Sequence, residues 1–342
     1  MSLDKRAWQR RRRVADLVFA GCLRCLALFG ACSPALAVDI PLTDRTVLRF
    51  ADVREGIESL TKRDDFIASL SPFDRQVRLK TDRDVSEQEL LQYIPQHVLP
   101  WTAGDRALLT PIIESMAKKL AHWNLNLPPV LLLVKTDGQE DSRAAYCRGA
   151  AIVLPANMLA NKRLDKILPH ELFHVLSNQN LELRQKLYNS IGFQKCNEVA
   201  LPGPLAARKI TNPDAPLNNQ FITVVQGGRT MELMPVLFSK APRYDAARGG
   251  TLFAYLEFKL MALENDNGVR RAAVVDGKPV LFEPGGVAGF AEQVGTNTDY
   301  IIHPEEILAD NFVFLLNGQV DLPSQRVVQE MGRILQEAGE TR

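Results

Sequence analysis

The chain has 342 residues with 41 Lys and Arg against 40 Asp and Glu, a formal net charge of +1, and is 46% hydrophobic and 24% charged. These are globular proportions, enough for one large domain or two small ones, and the absence of a basic excess speaks against a nucleic-acid partner. Five cysteines over this length exclude a disulfide-dense miniprotein.

The amino-terminal residues differ from the rest. Lys5, Arg6 and Arg10 to Arg13 precede an apolar run over residues 14–31, which Arg24 interrupts, and the chain continues Ser33-Pro34-Ala35-Leu36-Ala37. A basic start, a short apolar stretch and an A-x-A ending make a signal peptide over residues 1–37. Cleavage after Ala37 predicts a secreted or periplasmic protein beginning at Val38, with no membrane span after removal. Lipid attachment at Cys32 is the weaker alternative, because Phe29-Gly30-Ala31-Cys32 is a poor lipobox. The leader holds seven basic and two acidic residues, so 34 basic and 38 acidic remain, a net charge of −4. Only Cys147 and Cys196 survive cleavage. An oxidising compartment favours a disulfide between them, worth roughly 2–4 kcal/mol.

Residues 38–100 read as short helices, with Val53, Ile57, Leu60 and Leu90, Leu91, Ile94 at helical spacing, and form an N-terminal helical region that is a candidate propeptide or subdomain. The charged stretch 74–89 reads as a linker or a solvated helix face. A helix is predicted to start at Thr110-Pro111 and carries Ile113, Met116 and Leu120. Residues 130–134 read as a buried strand and 144–154 as a second. Helices over 167–176 and 181–191 follow, the latter ending at Gly192. A strand-rich insert occupies about 220–285, with strands over 221–225, 231–238 and 252–263. A hairpin turns at Asp276-Gly277 between Val274-Val275 and residues 280–282. Helices opening near His303-Pro304 and at Ser324 close an α+β chain.

The most specific pattern is His170-Glu171-Leu172-Phe173-His174. On a helix the two histidines lie one turn apart on one face and can bind a single metal ion, with the Glu171 carboxylate beside them to take a proton from water. Pro169 implies that the helix begins near Leu168 or kinks there. A third ligand is needed to make a catalytic zinc site. Glu306 and Asp310, four residues apart, can supply it: one carboxylate for the metal, the other for a histidine N–H. Glu305 and His303 are rival third ligands, and Asp299 is a more distant one.

His170, Glu171 and His174 with Glu306, Ala309 and Asp310 resemble the zincin metallopeptidases, and among them the gluzincins, over residues 102–193 and 298–317. The resemblance implies a zincin-like catalytic domain over 101–342. It also implies zinc held by His170, His174 and Glu306, Glu171 as general base, and Asp310 behind a ligand histidine. A Tyr, His or Arg then steadies the developing oxyanion; Tyr300 and His303 are the candidates and Tyr255 a weaker one. The expected function is a secreted zinc metallopeptidase acting on a peptide or protein substrate laid along the strand at 144–154. The alternative is a secreted zinc-binding structural or binding protein with a zincin fold and no peptidase activity.

Overall fold

In the computed structural model, which describes residues 39–340, the chain opens with two short strands, β1 (Ile40–Pro41) and β2 (Val47–Phe50). The signal-peptide reading, the Ala37 cleavage site and Cys32 lie outside the described residues. Four helices follow: α1 (Val53–Thr61), α2 (Asp65–Ser69), α3 (Pro72–Leu79) and α4 (Glu87–Tyr93). Helices α1, α3 and α4 start on reciprocal capping boxes, Asp52 with Glu55, Ser71 with Asp74 and Ser86 with Glu89, which satisfy N–H groups that a helix start would otherwise leave unpaired. After β3 (Val98–Leu99), helix α5 (Ala103–Leu120) begins on a fourth such box, Thr102 with Asp105. It therefore starts well before the expected Thr110-Pro111, and Pro111 sits inside it.

Strand β4 (Val130–Thr136) matches expectation. The single strand expected over 144–154 is instead a hairpin, β5 (Tyr146–Arg148) and β6 (Ala151–Pro155), reversing at Gly149, whose φ of 58° suits the one residue without a Cβ. Helices α6 (Leu164–Gln179) and α7 (Leu181–Ser190) come next. Then follow β7 (Phe193–Lys195), α8 (Pro204–Ala207), β8 (Gln220–Gln226), β9 (Arg229–Ser239) and β10 (Leu256–Asp266). The strand expected from residue 252 thus begins at Leu256. Strand β11 (Val269–Ala272) precedes the tight hairpin β12 (Val274–Val275) and β13 (Lys278–Pro279). Its Asp276 and Gly277 both take positive φ, 51° and 74°, as a two-residue hairpin turn requires. The chain ends with β14 (Leu281–Phe282), α9 (Phe290–Val294), α10 (Pro304–Leu316) and α11 (Gln325–Glu340).

The first sheet runs β1-β2-β4-β6-β5, with β3 on β4. Strands β2, β4 and β6 are parallel, with Leu48 opposite Leu131 and Leu133 opposite Ile152, while β5 is an antiparallel edge. The second sheet, β11-β10-β9-β8-β7 with β14 on β10, is antiparallel throughout. The chain is α+β, as its pattern predicts.

The expected boundary at residue 100 is not found. Strand β2 lies between β1 and β4, and Leu48 and Phe50 pack in the same core as Leu131, Leu172 and Phe312. Sheet pairing and burial of apolar side chains, at about 1.5–3 kcal/mol each, bind this segment to the rest. Nor is the stretch 74–89 solvated throughout. Asp74 and Arg78 are buried on α3, where Arg78 pairs with Asp74 at 3.2 Å and Asp141 at 2.9 Å. No described helix is long and apolar enough to cross a membrane.

Candidate metal centre and cleft

Helix α6 is buried on most of its circumference. Leu168, Leu172, Phe173, Val175 and Leu176 join the main core, and Phe173 meets Phe312 of α10 with ring centroids 5.6 Å apart. This packing fixes α6 against α10 and presents His170 and His174 together, their rings edge-on at 4.8 Å. Pro169 neither starts the helix nor precedes it; α6 begins at Leu164 and takes the proline within its second turn. The His303 N-cap starts α10, so Glu305, Glu306 and Asp310 fall on its first two turns facing the histidines.

His170 Nε2 lies 3.2 Å, and His174 Nε2 3.6 Å, from the same Glu306 oxygen. Four ligands around one zinc ion, at bonds of about 2.0–2.1 Å, stand roughly 3.3 Å apart, so these separations fit three donors of such a site. Each histidine is held from behind. His170 Nδ1 donates to Asp310 at 3.0 Å, and His174 Nδ1 to Glu305 at 3.0 Å, which leaves both Nε2 atoms facing the shared point. Five carboxylates, Glu171, Asp214, Glu305, Glu306 and Asp310, surround two imidazoles and the guanidinium of Arg184. This donor set fits a divalent cation.

Electrostatics express the same fit. Burial disfavours the imidazolium of His170, but the Asp310 and Glu306 carboxylates outweigh it and raise its pKa well above the ordinary value. Burial likewise opposes charge on His174, yet Asp214, Glu306 and Glu305 lift it to about 9. Burial would raise Glu306, but the two histidines and Asn212 hold it at about 2. Desolvation drives Glu171 to about 8, with Asp214 adding to it; a divalent cation held by the histidines would favour the ionised carboxylate and bring it back down, into the range of a base that works near neutral pH. Both histidines therefore carry protons at neutral pH that a metal ion must displace. Metal binding is expected to release protons and to tighten as pH rises towards 9, which calorimetry in buffers of different ionisation enthalpy measures directly.

Glu171 lies between the two histidines in sequence and has one carboxylate oxygen, Oε2, buried without a hydrogen-bond partner. It stands outside the group of His170, His174 and Glu306 and beside it, in a second cluster with His174 and Asp214. The histidines, Glu171 and Glu306 line a cleft of about 550 Å³, which also reaches Leu252 and Phe253 of the strand-rich region. None of its lining residues comes from 39–100.

Several site residues escape sequence reasoning. Glu305, weighed as a ligand, instead accepts from His174 Nδ1, Ser177 Oγ at 2.8 Å and the Tyr188 hydroxyl, with Arg184 at 3.2 Å. Its signal was the Glu305-Glu306 pair itself: adjacent helical positions point about 100° apart and so can serve different histidines. Glu305→Gln is expected to weaken metal affinity about 10- to 100-fold, read by chelator competition. The loop over residues 211–216 had no signal beyond its Pro and Asn content. Yet Asn212 Nδ2 donates to the second Glu306 oxygen at 2.6 Å, and Asp214 comes within 4.8 Å of ligand-type atoms on both Glu171 and His174.

Tyr300 lines the cleft with 39% of its surface exposed, and partial desolvation followed by the charges of Glu306, Asp214 and Glu171 raises its pKa, so its hydroxyl keeps its proton. His303 does not serve the cleft. Its Nδ1 accepts from the Glu305 backbone N–H at 3.1 Å as the α10 cap, and its ring lines a neighbouring cavity. Burial and Arg184 press its pKa down to about 4, so it is neutral. Tyr255 donates to the Gly249 carbonyl at 2.9 Å and packs on Phe73, away from the site, and Asp299 does not line the cleft. Cys147 and Cys196 are both free thiols. Cys147 is buried on β5 in the main core, whereas Cys196 follows β7 and packs in a separate cluster against the second sheet, so the expected disulfide is not formed.

No family model, no curated protein and no solved structure matches the chain.

Proposed function

We propose that the protein is an exported zinc-dependent peptidase of the zincin type, with His170, His174 and Glu306 as ligands. The observation that carries this reading is the convergence of both Nε2 atoms on one Glu306 oxygen, with the unpartnered Glu171 carboxylate beside them in an accessible cleft. A divalent cation held there supplies Lewis acidity: it polarises a carbonyl and makes water acidic enough to give up a proton near neutral pH. Glu171 accepts that proton as the water oxygen bonds to the peptide carbonyl carbon, and hands it to the amine nitrogen as the C–N bond breaks. Asp310 and Glu305 hold the ligand histidines in the tautomer with Nδ1 protonated, and Asn212 steadies Glu306. Tyr300 supplies a hydroxyl donor at the cleft for the developing oxyanion.

The alternative, a zinc-binding protein without hydrolytic activity, expects a site closed by its surroundings. The open cleft, free of residues from 39–100, favours the enzyme. The test is elemental analysis and peptide hydrolysis by the purified protein from residue 38 onward. One zinc per chain, with hydrolysis abolished by chelation and restored by zinc, supports the reading; a protein that binds no divalent metal defeats it.

A further inference from the structure

The cleft is walled at one end, and the wall carries carboxyl groups. Strand β5 is the outer strand of its sheet, and its outward Cys147 N–H donates to Asp214 Oδ1 at 2.7 Å. That backbone group is the one an added substrate strand would otherwise use. The loop carrying Asp214 is tied down along its length. Thr211 donates its N–H and hydroxyl to the buried Asp74, Asp214 N–H donates to Asn212 Oδ1 at 2.9 Å, Arg184 donates to the Asp214 carbonyl at 3.2 Å, and Lys209 Nζ donates to the Pro216 carbonyl at 2.7 Å. It divides the cleft from a second cavity of about 440 Å³ that reaches Cys147 and Arg148, and Pro213 lines both. A peptide cannot run straight past the metal site along β5.

We infer that the enzyme is an aminopeptidase, with Asp214 as the anchor of the substrate's free α-ammonium group. This rests on the peptidase reading above. Three observations support it. A strand running antiparallel to the chain over residues 143–145, just before β5, places its amino end towards Cys147, where Asp214 stands. Its other end runs past Ala145 towards Arg143, both of which line the cleft, so the carboxyl side of the peptide has an open path with a cation along it. The wall itself offers Asp214 and the unpartnered Glu171 Oε2, both buried, within reach of one another. Asp214 stands outside the group formed by His170, His174 and Glu306 and clusters with Glu171 and His174; loss of zinc in Asp214→Asn would assign it to the metal and overturn its role as the substrate anchor. One water is consumed per cycle: its oxygen joins the first residue's carbonyl carbon, the C–N bond to the second residue breaks, and Glu171 carries a proton to the departing amine.

The test compares a peptide bearing a free amino terminus with its N-acetylated twin, and with an internally quenched peptide blocked at both ends, using the zinc-loaded protein. Free peptides are expected to lose amino-terminal residues, and acetylation is expected to lower kcat/KM by about 100-fold or more. Asp214→Asn keeps an acceptor for Cys147 N–H. It is expected to keep zinc, to raise KM for the free peptide more than it lowers kcat, and to shrink the free-to-acetylated ratio towards one. Should that variant fail to fold, the acetylation comparison on the unaltered protein still decides. Internal cleavage of the doubly blocked peptide at a rate matching the free one overturns this inference and leaves the peptidase reading standing. Zinc bound with no hydrolysis of any peptide overturns both.

Discussion

Glu171→Gln is expected to retain the metal and lose hydrolysis by about 1000-fold or more. The substitution preserves the size and shape of the side chain but replaces the basic oxygen with an amide NH2 that cannot accept a proton, and general base catalysis contributes about 100- to 10,000-fold. Metal retention follows from geometry: His170, His174 and Glu306 form a complete three-donor group without Glu171, which belongs instead to a second cluster with His174 and Asp214. The informative comparison is with His174→Ala, which removes a ligand and leaves Glu305 buried without the imidazole it holds. Zinc content and kcat/KM measured on both variants should separate the roles. Loss of both quantities is expected for His174→Ala, and loss of rate alone for Glu171→Gln. Full activity in Glu171→Gln would falsify the assignment of the base.

Arg78→Ala is expected to have the largest effect on stability, about 3–5 kcal/mol, although Arg78 does not line the cleft. Its guanidinium pairs with Asp74 and Asp141, and all three side chains are almost completely excluded from water. Removing the cation leaves two carboxylates uncompensated in a medium that solvates them poorly. Burial already raises the pKa of Asp141 against the pull of Arg78, and without the guanidinium it rises further. The folded state then gains from protonation, so the deficit is full near neutral pH and shrinks as the solution is acidified. Urea unfolding at pH 7 and at pH 5 checks both the size and the sign. The same cluster reaches the site, because Asp74 accepts from Thr211 at the start of the loop that carries Asn212 and Asp214. A change in KM at temperatures where the variant remains folded is therefore expected alongside the stability loss.

The division between what the sequence determined and what required the tertiary structure follows the range of the interactions. Local chemistry was legible. The spacing of His170 and His174 puts them on one helical face, Asp276-Gly277 accepts two positive φ angles, and the apolar period marks α6, α7 and α10. The Glu306–Asp310 spacing placed two carboxylates on one face of α10, and the structure brings both to the histidines. Charge pattern misled where the partner was distant: the stretch at 74–89 looked solvated because nothing nearby in sequence shows that Arg78 meets Asp141, sixty-three positions on. Cysteine count misled for the same reason, since two thiols in one chain pair only if the fold brings their sulfurs together. The roles of Glu305 and Asp214 were decided only by packing. Glu305 serves His174 because α10 docks on α6 at that rotation, and Asp214 reaches Glu171 because Asp74, Arg184 and Lys209 hold its loop across the end of the cleft. Which residues can bind a metal is a matter of side-chain type and helical spacing. Which residues wall the cleft, and so which substrates can enter it, depends on contacts between segments far apart in the chain.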